Sequence, residues 1–364
     1  MTNDEFYMNL AIENAKAMKG QTDPNPLVGS VIVNNNRIVG IGAHMKAGEP
    51  HAEIHALRMA GDKAKGGTIY VTLEPCSHHG RTGPCAVAIV EAGIKKVVIA
   101  TLDPNPIVAG NGVKILKDAG VDVVVGVCEK ESVDMNEVFN HYIVHKKPFV
   151  ILKSGSTLDG KIATHTFSSK WITSEKARED VHRLRSENRA ILVGVNTVIK
   201  DDPELTARIP NGRNPIRVIL DSTLRTPLES KIVTDQKAET WIFTTQAHPP
   251  DKREKLESLG VRIFVTSGLS QVDPEEVLEV LGREEVSSLL IEGGGHINAS
   301  FIEKRLVNKV VIYLAPKLVG GQNAPTFLEG TGVNNMSEAV ELKPMMMEPI
   351  GNDFKIVGYT IYKH

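Results

Sequence analysis

Long apolar runs are absent from this chain of 364 residues. None reaches the ~20 residues that a bilayer-spanning helix needs, so no membrane partner is expected. A cationic surplus is absent too, since 42 Lys and Arg stand against 44 Asp and Glu, a formal net charge of −2. A general nucleic-acid binder normally carries a basic surplus or stripe, so nucleic acid is not expected as a partner either. A phosphorylated small molecule stays open, because a few local Arg side chains can hold one phosphate. Cysteine is scarce, limited to Cys76, Cys85 and Cys128. In a chain of this size a Cys pair near a His reads as metal or catalysis before disulfide. The opening Met1-Thr2-Asn3-Asp4-Glu5 lacks the basic-then-apolar pattern of a signal peptide, and a cytoplasmic location is the default expectation. There is no internal repeat and no low-complexity segment.

What is present is enough for two ordinary cores. Hydrophobic residues make up 41% and charged residues 24%, a soluble globular balance that needs no disulfide staples. The length exceeds one average domain of ~100–200 residues. Helical and strand patterns alternate from the start. Helices are expected over residues 6–18, 51–60, 84–91 and 113–118, and strands over 28–33, 37–42, 68–73, 96–101 and 121–127. Asn34-Asn35-Asn36 between the first two strands signals a hairpin. Lys146-Lys147-Pro148 is the expected boundary, with domains at 1–146 and 147–364. Beyond it the pattern restarts with a strand over 149–153 and a helix over 174–186, with Ser174 as N-cap and acids in the first turn. Strands follow at 190–195, 216–221, 241–245, 262–266, 288–291, 310–314 and 355–362, with loops over 206–215 and 320–335. Both halves are therefore α/β.

The densest chemistry lies at His51-Ala52-Glu53, Pro75-Cys76 and Cys85. Three such ligands leave the fourth tetrahedral position of Zn²⁺ open to water, whose pKa the metal lowers towards neutrality. Glu53, two residues from His51, can face that water and carry its proton to a leaving amine. A helix start near the two Cys would favour thiolate. Zinc deaminases of nucleobases carry H-x-E…P-C-x-x-C; here the eight residues Ser77 to Pro84 separate the Cys pair. A zinc-protease helix would need Glu directly after the first His, where Ala52 stands, although His55 has the right spacing from His51. A closed structural site, with His78 or His79 as fourth ligand, has no use for Glu53. Taken singly, His51 or His55 would be an ordinary core histidine, and Cys128 a small buried hydrophobe.

Two further loops have ligand character. Asp23-Pro24-Asn25-Pro26-Leu27-Val28-Gly29 is a turn whose Asn25 has donors and an acceptor suited to a base or sugar edge. Asp103-Pro104-Asn105-Pro106 follows a strand end, where α/β folds place ligand contacts. In the second half, Ile291-Glu292-Gly293-Gly294-Gly295-His296 closes a strand and opens a helix, so backbone N–H groups could meet a pyrophosphate. It is not G-x-G-x-x-G, and a Rossmann fold does not follow.

With these pieces assembled, the chain resembles the bifunctional riboflavin-biosynthesis deaminase–reductase family over essentially its full length. The resemblance rests on PNPLVG, HAEIHAL and EPCSHHGRTGPC in the first half. TLDGKIAT, SKWITS, AILVGVNTV, DDPELT and IEGGGH carry it in the second. Gly83 stands where Pro is usual. The resemblance implies a cytidine-deaminase-like domain that removes the 2-amino group of 2,5-diamino-6-ribosylamino-4(3H)-pyrimidinone 5′-phosphate. It implies next a dihydrofolate-reductase-like domain that uses NADPH to convert the ribosyl group of 5-amino-6-(5-phosphoribosylamino)uracil to ribityl. His51, Cys76 and Cys85 would hold one zinc per chain, with Glu53 as the catalytic proton shuttle. Asn25, His44, Asp103 and Asn105 would contact the deaminase substrate. Cofactor positions would be Gly155, Trp171, Thr197, Asp201, Ser222 and the run Gly294, Gly295, His296, Ile297, Asn298, Ala299, Ser300. Substrate positions would be Ser169, Arg185, Leu205, Arg208 and Glu292, with Lys153 reaching the ribose. Arg185 and Arg208 are the expected phosphate clamps, as guanidinium pairs bidentately with phosphate. Homo-oligomerisation through the reductase domain is a family expectation. The competing readings are a deaminase of tRNA or another nucleobase, which leaves the second half unexplained, and a zinc-stabilised binding module without turnover. A chain with one dead domain is disfavoured because neither half shows a broken motif.

Overall fold

The computed structural model describes residues 1–77, 83–105 and 109–363, so His78, His79 and Pro106 lie outside the described residues. The chain forms two compact units, Met1–Lys146 and Lys147–His364.

The first unit is built on β1 (Gly29–Asn34), β2 (Arg37–Ala43), β3 (Thr68–Leu73), β4 (Lys96–Thr101) and β5 (Asp122–Val125), in the order β2-β1-β3-β4-β5. β1 runs antiparallel to β2 and β3, whereas β3, β4 and β5 are parallel. The β1–β2 turn has Asn35 and Asn36 at φ 49° and 59°, the left-handed pair that a tight hairpin turn requires and that Asn tolerates. Strand alternation divides the apolar residues between two faces. Val31, Val33, Tyr70 and Val98 meet Met8 and Ile12 of helix Asn3–Lys16. Ile32, Ile69, Val71 and Ile99 meet Ala52, Ala56 and Ala60 of helix Ala52–Ala60, with Ile89 and Leu116 of helices Cys85–Glu91 and Asn111–Asp118. The alanine face lets helix Ala52–Ala60 lie almost on the backbone of β2. A Cβ on Gly42 would stand 2.1 Å from the Ala52 carbonyl oxygen.

The second unit is a nine-stranded sheet. Its strands are β6 (Phe149–Thr157), β7 (Ala190–Gly194), β8 (Ile216–Leu220), β9 (Thr240–Thr244), β10 (Arg262–Val265), β11 (Ser288–Ile291), β12 (Lys309–Ala315), β13 (Glu341–Ile350) and β14 (Asp353–Ile361). The order is β10-β9-β8-β7-β11-β6-β12-β14-β13, parallel from β10 through β12 and antiparallel at β14 and β13. One face packs Leu192, Val218 and Phe243 with Leu278 and Phe301 of helices Pro274–Arg283 and Gly295–Glu303. The other packs Val193, Ile219 and Ile242 with Val198 and Leu256. Ser174 caps helix Glu175–Glu187, accepting from the Ala177 N–H, and Glu175 is the only acid of its first turn. No helix among the described residues is long and apolar enough to cross a membrane.

The structure departs from the sequence expectations in several places, among them helices Pro250–Ser258 and Pro274–Arg283, for which no element was expected. β13 was not anticipated, because Pro344, Pro349 and three successive Met do not alternate; it is an edge strand, where Pro is tolerated. Helices Glu129–Met135 and Glu137–His145 occupy a stretch left unassigned. Cys128 follows β5 by three residues and precedes the first of these helices at φ 55°; expected as a buried small hydrophobe, it is only half-buried.

The Gly42 contact has a measurable consequence. Gly42→Ala forces the helix off β2, an overpacking change of ~1–3 kcal/mol. Both Trp residues, Trp171 and Trp241, lie in the second unit, so the first unit unfolds without a Trp signal. The substitution should lower the urea midpoint seen by circular dichroism and leave the Trp fluorescence midpoint in place. An unchanged dichroism midpoint would refute the close-packing account.

Candidate active sites

The first site forms where β3 and β4 end side by side, with Leu73 opposite Thr101. His51 is the residue before helix Ala52–Ala60, Cys76 follows β3, and Cys85 opens helix Cys85–Glu91. The two Sγ atoms lie 3.5 and 3.3 Å from His51 Nδ1, and all three ligand atoms fall within 4.8 Å of one another. A tetrahedral zinc with one His nitrogen and one Cys sulfur spans roughly 3.5 Å between them, so the donor set fits the ion. Among the described residues no fourth His, Cys, Asp or Glu joins this group. The Cys85 N–H donates to Cys76 Sγ at 3.3 Å. Hydrogen bonding from Cys85 and the neighbouring His51 draw the Cys76 thiol down to about 4 despite burial.

Glu53 is 3% exposed, and its Oε2 has no hydrogen-bond partner. Burial pushes its carboxyl up to about 7, suited to taking and giving a proton near neutrality. Asn25 Nδ2 lies 3.0 Å from His44 Nε2, and His44 Nδ1 lies 3.3 Å from the Pro50 carbonyl. Asn25 donating at Nε2 makes Nδ1 the protonated nitrogen of a neutral ring; burial lowers the His44 pKa in the same direction. The His44 ring stands edge-on to His51 at 5.4 Å. The structure thus brings Asn25 and His44 to the metal-ligand group. Asp103 and Asn105 form a tight turn, with Asn105 N–H donating to Asp103 Oδ1 at 2.8 Å. Sequence reasoning passed over Glu74, a buried carboxylate beside this turn.

In the second unit Ile291 is paired with both Leu152 and Leu192, so the residues following β11 lie beside β6 and the end of β7. Glu292 Oε2 accepts from Lys153 Nζ at 3.0 Å, while Arg185 Nε and Nη2 donate to its two oxygens at 2.7 and 2.9 Å. Burial opposes the charge on Glu292, but Arg185 and Lys153 outweigh it and hold the carboxyl well below its usual range. Arg185, expected as a phosphate clamp, already has three of its five N–H donors engaged within the protein. One edge of its guanidinium is committed to Glu292, and Nη1 donates to the Thr206 carbonyl at 3.2 Å. Arg208 differs, since its side chain is 54% exposed and its nearest acid, Glu204, lies 3.8 Å away. Between them sits His182, unremarked in the sequence, pushed down to about 4 by burial and by Arg185 and Arg208. The Leu205 side chain is in the core, at φ 51°.

The second unit also holds a cleft of about 1090 Å³, above the ~300–1,000 Å³ usual for small-molecule sites. Gly294, Gly295, His296, Ile297 and Ser300 line it, as do Thr197, Asp201, Ser222 and Ser169. The Gly294–Gly295 step starts helix Gly295–Glu303, which aims its N-terminal N–H groups as anion donors. Asn298 and Ala299 are buried and Gly155 lies within β6, so these do not line the cleft. Trp171 is outside it too, exposed with the Arg178 guanidinium over its ring at 4.3 Å. Three cations absent from the sequence reading, Lys161, Lys200 and Arg225, line the cleft. No motif surrounds them, which is why spacing did not reveal them.

A His/Cys/Cys group able to hold zinc in the first unit, and a large cleft on a mostly parallel sheet in the second, fit a zinc-dependent deaminase and a cofactor-dependent reductase. Residues 1–101 match the family model for the cytidine and deoxycytidylate deaminase zinc-binding region, and residues 148–356 match that for the RibD C-terminal domain. The riboflavin biosynthesis protein RibD of Aquifex aeolicus is 46% identical, over 97% of each chain. That of Escherichia coli is 40% identical, over 96% of this chain and 97% of its own. A solved RibD structure from Acinetobacter baumannii superposes with a TM-score of 0.87 at 38% identity, covering 98% of this chain and 99% of that one. A Thermotoga maritima structure, described as a diaminohydroxyphosphoribosylaminopyrimidine deaminase/5-amino-6-(5-phosphoribosylamino)uracil reductase, gives 0.85 at 37% identity with the same coverage. The chain belongs to the RibD family of riboflavin biosynthesis proteins. It is a bifunctional deaminase and reductase with a cytidine-deaminase-like and a dihydrofolate-reductase-like domain, and its cofactors are zinc and NADPH.

The Glu292 network yields a stability prediction. Removing one partner of a buried ion pair costs ~3–5 kcal/mol, so Arg185→Ala should lower the Trp fluorescence unfolding midpoint strongly. The folded pKa of Glu292 lies below its ordinary 4.5; its stabilisation is therefore complete above that pH and is lost as pH falls further. Arg185→Ala should reduce that part of the acid sensitivity, leaving what Lys153 supplies. A variant as stable as wild type at neutral pH would show that Arg185 does not hold Glu292.

Proposed function

We propose that residues 1–146 carry out the deamination and residues 147–364 the reduction, with the following division of labour. His51, Cys76 and Cys85 hold zinc, which when bound activates water, while NADPH supplies the hydride of the second reaction. Glu53 Oε2 takes the proton from the attacking water and delivers it to the departing amine nitrogen. Asn25 and His44 orient the pyrimidine, and Asp103 and Asn105 hold its polar edge or ribose. The single observation that supports this reading most is the unpartnered, buried Oε2 of Glu53 beside a three-donor metal group. A closed structural site would have no use for it.

In the reductase half the cleft takes the cofactor, with its pyrophosphate at Gly294–Ser300 and the rest along Thr197, Asp201 and Ser222. Gly155, Trp171, Asn298 and Ala299 contribute through backbone or packing. Ser169, Leu205 and Glu292 bound the substrate, Lys153 reaches the ribose with an ammonium able to give a proton, and Arg208 takes the phosphate. Arg185 acts mainly through Glu292. The substrates are free phosphorylated pyrimidines rather than nucleic acid, which agrees with the balanced net charge of −2. A reducing, cytoplasmic compartment suits a site that needs free thiols. Homo-oligomerisation through the second unit is supported by β13, an edge strand whose Met345, Met346 and Met347 are exposed.

Glu53→Gln tests the first half. It preserves size and removes the proton acceptor, so zinc content should stay near one per chain while deamination falls by at least ~10²-fold. Reduction of pre-deaminated substrate should survive. Deamination at the wild-type rate would remove Glu53 from the mechanism.

Arg208→Ala tests the second half. A charge-assisted bond to phosphate contributes roughly 1.5–3 kcal/mol. Reduction of the phosphorylated substrate should therefore weaken by ~10–150-fold at unchanged NADPH affinity. The dephosphorylated analogue should be handled poorly by wild type and hardly worse by the variant. Equal losses on both compounds would assign Arg208 to fold or cofactor instead.

A further inference from the structure

Glu74 lies two residues before Cys76, one residue past the end of β3, and it is 5% exposed. Its carboxylate collects four backbone N–H groups from two other segments. Oε2 accepts from Asp103 at 3.3 Å and Gly110 at 2.9 Å. Oε1 accepts from Gly112 at 2.8 Å and Val113 at 3.2 Å. The Glu74 N–H itself donates to the Thr101 carbonyl at 3.0 Å, prolonging the β3–β4 ladder by one rung. Immediately after it, the Pro75 carbonyl oxygen presses on Gly112, where a Cβ would stand only 2.0 Å away. A carboxylate that accepts only the three N–H groups of Gly110, Gly112 and Val113 would be a cap for helix Asn111–Asp118. The fourth, from Asp103, makes it more, because Asp103 Oδ1 receives the Asn105 N–H and sets that turn. One side chain thus ties the backbone of the Cys76 segment to the turn that carries Asp103 and Asn105.

We propose that Glu74 is a positioning residue of the deaminase, fixing the zinc ligand Cys76 and the Asp103–Asn105 turn relative to each other. The proposal rests on the reading of His51, Cys76 and Cys85 as zinc ligands. Glu74 touches neither ion nor substrate in this role. Replacing one carboxylate oxygen by an NH₂ group turns two of the four contacts into donor against donor. Both the metal loop and the substrate turn are then released, while the ligand atoms themselves remain.

The test uses the full-length, zinc-loaded protein. In Glu74→Gln, zinc release to a chromogenic chelator should accelerate by ~10–100-fold, the usual effect of disturbing the support of a metal ligand. KM for the diaminopyrimidine should rise, with kcat in excess zinc far less affected and reductase activity unchanged. Gly112→Ala, whose Cβ would press on the Pro75 carbonyl and crowd the Glu74 carboxylate at 3.2 Å without removing it, should also speed zinc release. It carries the test alone if Glu74→Gln does not fold. Wild-type release and KM in a folded Glu74→Gln would overturn the proposal. So would losses in kcat and KM that merely follow a lowered melting temperature, since that is all a helix cap would give. Cys76→Ser is the control for the underlying reading. If it keeps its zinc, the ligand assignment fails; if it loses zinc while Glu74→Gln and Gly112→Ala release it normally, only the role of Glu74 fails.

Discussion

Parallel strand pairing is the constraint on which both sites depend. Parallel neighbours end on the same edge of a sheet, so residues distant in sequence emerge side by side at their carboxyl ends. In the first unit the pairing of Leu73 with Thr101 sets the Cys76 segment against the Asp103–Asn105 turn. In the second, β11 lies between β6 and β7, and its last residue, Ile291, is paired with Leu152 and Leu192. That register alone makes Lys153 and Glu292 neighbours across 139 residues of chain. A slip by one residue would turn either side chain to the opposite face, and the hydrophobic alternation of the strands opposes it.

The two units use buried carboxylates in opposite ways. Glu53 and Glu292 are both withdrawn from water, and burial alone raises the pKa of each. Glu53 has a thiol pair and a histidine for neighbours, and its carboxyl stays high enough to be protonated near neutrality. Glu292 has Arg185 and Lys153 within hydrogen-bond reach and remains an anion. The first arrangement suits a group that must gain and lose a proton in each turnover. The second suits one that must hold two cations in place, which is why the guanidinium of Arg185 is turned inward.

How much of this was legible in the sequence follows from how local each signal is. His51 with Glu53 and Cys76 with Cys85 are distinctive residue types within short motifs. The grouping of His51, Cys76 and Cys85 was legible from them, as were the Ser174 cap and the Asn hairpin turn. The boundary at residues 146–148 coincides with the division into compact units. What was not legible depended on partners far along the chain. Arg185 looks like any cation on a charged helix until Glu292 is set opposite its fork. Glu74 looks like a strand-end acid until Gly110 and Gly112 arrive over it. β13 was hidden because an exposed edge strand has no buried face to impose alternation.

The cations of the second unit show why composition could not locate phosphate recognition. With a net charge of −2 the chain exerts little long-range pull on an anionic substrate, and ionic strength screens charges beyond ~8 Å in any case. Recognition must then come from cations placed at the site. Lys161, Lys200 and Arg225 line the cleft, and Arg208 stands apart, beside the Glu292 cluster. The first three are balanced elsewhere in the chain by acids that face solvent, so the total hides them. Arg208 is not among the residues that line the cleft, so the structure places cations in two sets, one along the cleft and one beside Glu292. A balanced chain can offer an anion such local sets of cations, whereas a change in overall charge would act only weakly at either place.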